Sequence, residues 1–151
     1  MSDVETVERF IPAPPEKIFE YLVHPDRHKD IDGSGTVRDA KGAARRVGLG
    51  DKFGMSMKMG VPYSMVSTVI EYEENRLIAW QTTGPTAIGK HVGGRIWRYE
   101  LEPQDGGTLV KESWDIHAES AFTRPLVRKA AKETRKNMAA TLEKIEKLVT
   151  S

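Results

Sequence analysis

Two charges sit among aromatic residues in the second half of this sequence. Arg95 alternates with Trp97 and Tyr99, and Glu112 alternates with Val110 and Trp114. In a strand such alternate residues share one face. If those faces turn inward, both charges enter an apolar chamber, where an unpaired ion is costly. Arg95 and Glu112 are then expected to meet each other, bound water or a ligand. The chemistry that suits them is recognition of a carbonyl, carboxylate or phenolate by Arg95, with Glu112 steering the bound group. The same spacing fits a structural ion pair, or a register slip that turns both outward. Tyr63, Tyr72 and Tyr99 can each supply a hydroxyl.

Bulky apolar residues recur around these charges. Phe53, Met55, Met57 and Met59 alternate strictly with Lys52, Gly54, Ser56 and Lys58, and Met65, Trp80, Trp97 and Trp114 fall in other strand-like segments. Phe122, Met138 and Leu142 are their counterparts in the C-terminal segment. Methionine adapts to irregular apolar shapes, and tryptophan gives a broad rigid wall. The set reads either as the lining of a ligand cavity or as a filled core or dimer face. The lining expected for a cavity is Phe53, Met55, Met57, Trp80, Trp97, Trp114 and Met138, with Arg95, Tyr99 and Glu112 as its polar points.

Other chemistry is thinly represented. There is no cysteine, which excludes a thiol nucleophile, a Cys-ligated zinc and an iron–sulfur cluster. With no HExxH either, neither a metal nor a cofactor is expected. His24 and His28 share a helix face only if a helix survives Pro25. His91 lies in the loop GPTAIGKHVGG beside Lys90. There it reads as a general base working near neutral pH, or as an ordinary exposed histidine. No serine nucleophile elbow and no phosphate-cradling loop occur, so no catalytic residue is assigned.

The elements that must position these residues follow from periodicity. Val4 to Ile11 alternates as a strand and ends at Pro12. Pro15 can open a helix, because its missing N–H has no helical partner there, and Ile18, Phe19 and Leu22 form the apolar stripe. His24–Pro25 ends that helix, and Asp26 to Lys29 makes a second short turn. The glycine-rich stretch to Leu49 holds two strand-like islands, Thr36 to Arg38 and Ala44 to Val47. Strands follow from Lys52 to Met59, a turn at Gly60–Val61–Pro62, then Tyr63 to Glu73, Leu77 to Thr82, Arg95 to Glu102 and Leu109 to Ile116. Asp105–Gly106–Gly107 is a hairpin signal. Short turns imply antiparallel pairing. From Phe122 the period changes to three and four, predicting one helix over residues 121–149, about 43 Å long. The prediction is an α+β fold in one domain, residues 1–151, with a curved antiparallel sheet of six or seven strands wrapped around that long helix.

Composition bounds the partners. The 151 residues carry 23 Lys and Arg against 22 Asp and Glu, so no global charge draws the chain to nucleic acid. The N-terminus has neither the basic start nor the apolar core of a signal peptide, and no run approaches a membrane span. A soluble cytoplasmic protein, monomer or homodimer, is expected. One local field departs from neutrality: Arg124, Arg128, Lys129, Lys132, Arg135 and Lys136, opposed within that stretch only by Glu133. It reads as a solvated helix face, and it leaves room for weak contact with an anionic membrane surface or an acidic partner. Nucleic-acid binding is not expected, since no aromatic residues interleave with these cations on the exposed side.

The order of elements, with the stretches VERFIPAPPEKIFEYLVHPDRHKDI, YSMVSTVIEYEENRLIAWQTTG and GGTLVKESWDI, resembles the helix-grip fold of the START/Bet v 1-like (SRPBCC) superfamily. The subgroup it is most similar to is the bacterial polyketide cyclase/dehydrase and lipid-transport-like proteins. Phe19 and Leu22 match the aromatic and leucine of the family's first helix. Where members often carry tryptophan this chain has His28, Lys29, Asp30 and Ile31, so that end of the site is expected to be more polar. Gly48 to Asp51 lacks the glycine-rich pattern of the plant pathogenesis-related branch. The resemblance implies an apolar cavity between sheet and helix. Three functions fit. One is carriage or sensing of a small hydrophobic molecule such as a lipid, isoprenoid or polyketide-like compound. Another is an aromatase/cyclase-like enzyme, in which Arg95 stabilises an enolate and Glu112 or His91 moves protons. The third is a protein-interaction or toxin-like module using the basic helix.

Overall fold

Prolines set the first boundaries. In the computed structural model, which describes residues 3–35, 37–41, 45–59, 61–84 and 93–151, β1 (Val4–Ile11) stops at Pro12. Pro14, followed by another proline, is held extended at φ −68° and ψ 151° and caps α1 (Pro15–Leu22). α1 buries Ile18, Phe19 and Leu22. His24, preceding Pro25, is driven extended (φ −117°, ψ 95°) and ends the helical run. A 3₁₀ turn over Pro25–Arg27 then leads into the single turn of α2 (His28–Ile31). His24 and His28 therefore do not share a helix face. His24 sits at the surface against the Glu20 carbonyl, whereas His28 is buried.

Seven antiparallel strands follow the order β1-β7-β6-β5-β4-β3-β2. They are β1 with β2 (Val37–Lys41), β3 (Lys52–Met59), β4 (Val61–Glu73), β5 (Leu77–Thr83), β6 (Gly93–Gln104) and β7 (Gly107–Asp115). β4 begins at Val61, inside the expected turn, because Val61 pairs with Met59. Of the second strand-like island, residues 45–47 are irregular; the Val47 N–H instead bonds the Val23 carbonyl at 2.8 Å, and Val47 is buried. Asn75 at φ 60° and Gly106 at φ 81° turn the β4–β5 and β6–β7 hairpins, the left-handed values that asparagine and glycine tolerate best. A bulge between Val69 and Glu71 leaves Ile70 exposed, and Val69 and Tyr72 both pack against the core.

The C-terminal segment departs from the single helix expected over 121–149. Residues 121–123 form a turn, α3 spans Arg124–Lys129, and α4 spans Ala131–Thr150. Ala130 lies between them at φ −88° and ψ 1°, with its N–H on the Val127 carbonyl at 2.9 Å. That tightened i to i−3 bond breaks the helical ladder. Tertiary contacts accompany the break: Val127 and Ala131 both pack on Trp114 and Ile116, while Arg128 pairs with Asp3. The hydrophobic period runs on through Ala130, so nothing in the pattern marks it.

The sheet wraps α4, which approaches β1 and β7 on one side and the α1–α2 corner on another. Close approach at that corner depends on Gly33. A Cβ there would lie 2.2 Å from the Asn137 carbonyl, and the Gly33 N–H donates to Thr141 Oγ1 at 2.9 Å. α4 buries Met138, Thr141, Leu142 and Ile145. Leu142 and Ile145 join the larger core around α1, Trp80 and Tyr99, and Met138 joins a smaller core with Trp114 and Ile116. Val7 and Trp97, each partly buried, touch both.

Candidate functional site

Register decides which side chains share the face toward α4. Trp80 lies opposite Trp97, and Trp97 opposite Trp114, so the three tryptophans form one row across β5, β6 and β7. The adjacent row runs Ile78, Tyr99, Glu112 and Val7. On β3 and β4, Phe53 faces Ser67 and Met55 faces Met65. Directly opposed residues of antiparallel strands project to the same side. The predicted lining residues Phe53, Met55, Trp80, Trp114 and Met138 are all buried, while Met57 and Trp97 are half-buried. Ring contacts link the set: Trp97 to Trp114 at 6.4 Å, Trp80 to Tyr99 at 5.6 Å and Phe53 to Trp80 at 5.6 Å. Phe122 does not belong to it. At 81% exposure it stands outside on the turn before α3.

Trp97 is the informative member. It occupies the middle of the row, between Trp80 at 9% and Trp114 at 2% exposure, yet remains half-buried itself. Part of its side chain is therefore accessible to solvent.

The two charges do not meet. Arg95 shares the inward phase with Trp97 and Tyr99, but Glu112 lies opposite Tyr99, four residues along β6 from Arg95. That offset is about 13 Å of strand, beyond the reach of an ion pair. Each charge finds a different partner. Arg95 grips Glu119 with Nε to Oε1 at 3.2 Å and Nη2 to Oε2 at 3.1 Å. Glu119 is fully buried and also accepts from the Thr123 hydroxyl. Sequence reasoning missed Glu119 because it follows β7, where no alternation assigns it a face.

Among the described residues, no cation pairs with Glu112. The Tyr99 hydroxyl donates to its Oε2 at 2.9 Å, and burial raises its pKa from 4.5 to about 8 against that favourable bond. Burial, reinforced by the neighbouring carboxylate, also pushes the Tyr99 phenol well above its ordinary value. At neutral pH Glu112 is thus largely a neutral acid. With Oε2 accepting from Tyr99, Oε1 is left to hold the proton. Among the described residues, Glu112 Oε1 and the Trp114 indole N–H are both buried without a hydrogen-bond partner.

His28 is the second residue that sequence reasoning undervalued. It stacks on Trp80 at 5.0 Å, meets the edge of Phe53 at 5.5 Å and places Nε2 2.9 Å from the Leu22 carbonyl. Burial lowers its pKa from 6.5 to about 4, so the ring is neutral and acts as a third aromatic wall. The expectation of a more polar end is corrected to that extent: Lys29 and Asp30 are exposed, and the two inward residues are His28 and Ile31. The absence of the family's tryptophan at this place was the available signal. His91 and Lys90, and the side chains of Met59 and Tyr63, lie outside the described residues. Among the described residues no cluster of His, Asp and Glu could hold a metal ion.

A groove of about 890 Å³ lies elsewhere, between β1 and the α3–α4 segment. Its walls include Thr6, Glu8, Lys129, Lys132, Arg135 and Lys136 and none of the tryptophans. No helix among the described residues is long and apolar enough to cross a membrane.

Residues 4–150 match the sequence profile of the family described as polyketide cyclase / dehydrase and lipid transport. The Mycobacterium tuberculosis protein Rv0088 is 33% identical over 141 residues, a match covering 89% of this chain and 59% of that protein. The chain thus spans about 59% of the length of the curated relatives it matches. Among solved structures, protein MLL2253 from Mesorhizobium loti superposes with a TM-score of 0.70 at 18% identity, over 97% of this chain and 96% of that one. Protein CV1439 from Chromobacterium violaceum gives 0.71 at 15% identity, over 100% and 99%. These identities speak for the fold alone.

Proposed function

We propose that this chain, which belongs to the polyketide cyclase/dehydrase and lipid transport family, binds a small hydrophobic molecule between the concave face of its sheet and α4. The observation that carries the reading is the tryptophan row, whose central member, Trp97, is left half-buried between two buried neighbours. Phe53, Met55, Met57, Trp80, Trp114 and Met138 supply apolar wall, and flexible methionines suit a ligand of irregular shape. Tyr99 and Glu112 are the polar point that orients a carbonyl or hydroxyl. Arg95 serves at one remove, because its guanidinium is taken by Glu119. A lipid, isoprenoid or polyketide-like compound fits such a site. A cytoplasmic setting, a monomer or homodimer and no role for nucleic acid go with this proposal.

The cyclase-like alternative rests on one feature, the Tyr99–Glu112 pair. A carboxyl titrating near neutrality can exchange a proton with a bound carbonyl compound. Among the described residues Arg95, the cation that reading assigned to a developing enolate, is already neutralised by Glu119. Binding without turnover is therefore the leading reading.

Native mass spectrometry of freshly purified protein, followed by extraction and identification of any retained small molecule, tests the proposal. Apolar fluorescent probes should bind and alter tryptophan emission, and Trp97→Ala should weaken them several-fold. Absence of any retained molecule together with no probe binding would overturn it.

A further inference from the structure

β1 is an edge of the sheet, paired with β7 on one side and, among the described residues, with no strand on the other. The Asp3 carbonyl accepts the Ile116 N–H at 2.9 Å, so Asp3 turns its backbone groups toward the β7 side. In an antiparallel ladder alternate residues turn both groups to the same side, which leaves Thr6 and Glu8 directed at the open edge. There the Thr6 carbonyl accepts from Arg135 Nη1 at 2.9 Å. Among the described residues the Thr6 N–H and both backbone groups of Glu8 have no partner. An unpaired edge is a template for another extended chain.

α4 follows this edge in the same direction. Arg128, just before it, pairs with Asp3 at 2.9 Å, Arg135 with Glu5 at 3.7 Å and Glu146 with Arg9 at 2.9 Å. Between edge and helix lies the groove of about 890 Å³, whose charged walls are Lys129, Lys132, Arg135 and Lys136 against Glu8 and Glu133. Arg135 is committed to Glu5 and the Thr6 carbonyl. Lys129, Lys132 and Lys136 are exposed and, among the described residues, take part in no ion pair. Lys132 and Lys136 stand about 6 Å apart along α4, close to the roughly 7 Å between alternate side chains of an extended chain.

We propose that this groove binds an acidic polypeptide segment, which adds to the open edge of β1 as an extended strand and sets its carboxylates against Lys129, Lys132 and Lys136. Strand addition takes affinity from main-chain hydrogen bonds and specificity from side chains at alternate positions. Here Thr6 and Glu8 offer the main-chain groups, and the lysines read the charge. Cations beside an open edge disfavour a basic strand and admit an acidic one. A nucleic acid fits less well, because no aromatic side chain lines the groove for base stacking. An anionic bilayer fits less well too, since it has no ladder of N–H and C=O groups with which to complete the edge. None of the tryptophans lines the groove, and the proposal requires no ligand in the interior.

Fluorescence anisotropy with a labelled octapeptide of alternating glutamate and threonine tests it. The peptide should bind and be released by rising salt. Its lysine–threonine counterpart and the fully N-methylated glutamate–threonine peptide should each bind about tenfold more weakly or less. Lys132→Gln with Lys136→Gln should weaken binding by up to about fivefold for each cation removed, with thermal melts at the wild-type value because both side chains are exposed. Amide exchange followed by NMR locates the peptide: the Thr6 and Glu8 N–H groups should exchange fast in the free protein and slowly in the complex, while Val7 is protected in both. No binding, equal binding of the N-methylated peptide, equal binding by the Lys132→Gln, Lys136→Gln protein, or unchanged exchange at Thr6 and Glu8 would overturn the proposal. Binding of poly(U) RNA or of phosphatidylglycerol vesicles in place of the peptide would also overturn it, in favour of a general polyanion surface.

Discussion

Replacing Glu112 by glutamine should make this protein more stable in alkali and remove a distinct part of its pH dependence. In the folded state Glu112 holds its proton up to about pH 8, whereas an ordinary glutamate releases it near 4.5. Between those values the native state binds more protons than the unfolded chain, so stability falls as pH rises. The contribution is fully present below 4.5 and fully lost above about 8. Each pH unit of the interval removes about 1.4 kcal/mol, which makes the loss between about pH 5.5 and 8 roughly 3 kcal/mol. For a chain of this size that corresponds to a melting shift of about 6–12 °C. Buried His28 acts in the opposite direction: its pKa is lowered to about 4, so its contribution is present above 6.5 and is lost on acidification. The wild-type curve should therefore be nearly flat just below pH 6.5 and decline only above it. Subtracting the wild-type melts from those of Glu112→Gln isolates the glutamate. Glutamine still offers Tyr99 an acceptor, so the two proteins should agree within about 1 kcal/mol near pH 5 and diverge steadily toward pH 8. Parallel pH profiles would refute the neutral buried acid and, with it, the polar point assigned to the site.

Three further outcomes follow from the same packing. His28→Phe should tilt the flat region between about pH 4.5 and 6.5, so that stability rises on acidification there, while leaving the alkaline limb intact, as read by denaturant melts across that range. Met138→Asp should lower stability by about 3 kcal/mol or more, because it sets a lone charge in the apolar layer with Trp114 and Ile116; a melt unchanged within a degree or two would contradict the assigned face of α4. Arg95→Met should destabilise by about 2–4 kcal/mol, somewhat below a fully buried pair because the Arg95 side chain is 23% exposed. Adding Glu119→Gln to Arg95→Met should restore part of that loss, and no recovery would mean the pair is not what Arg95 supports.

Period and punctuation in the sequence determined the order of elements. Two-residue alternation marked the strands, prolines bounded α1, and Asp105–Gly106 turned the last hairpin, because each of these rests on local backbone geometry that neighbouring residues dictate. Alternation also set Phe53 with Met55 within one strand, since a strand leaves a side chain only two choices, and register then brings Trp80, Trp97 and Trp114 into one row. The distances between strands were decided elsewhere. Whether Arg95 meets Glu112 depends on register between β6 and β7, and Tyr99, not Arg95, stands opposite Glu112. Glu119 and His28 reach the site from irregular or single-turn segments, where periodicity carries no facing information. The break at Ala130 is likewise invisible in a pattern that continues through it, because it arises from how Val127, Ala131 and Arg128 dock on β7 and β1. Local sequence determined what each residue could face; long-range packing decided which partner it found there.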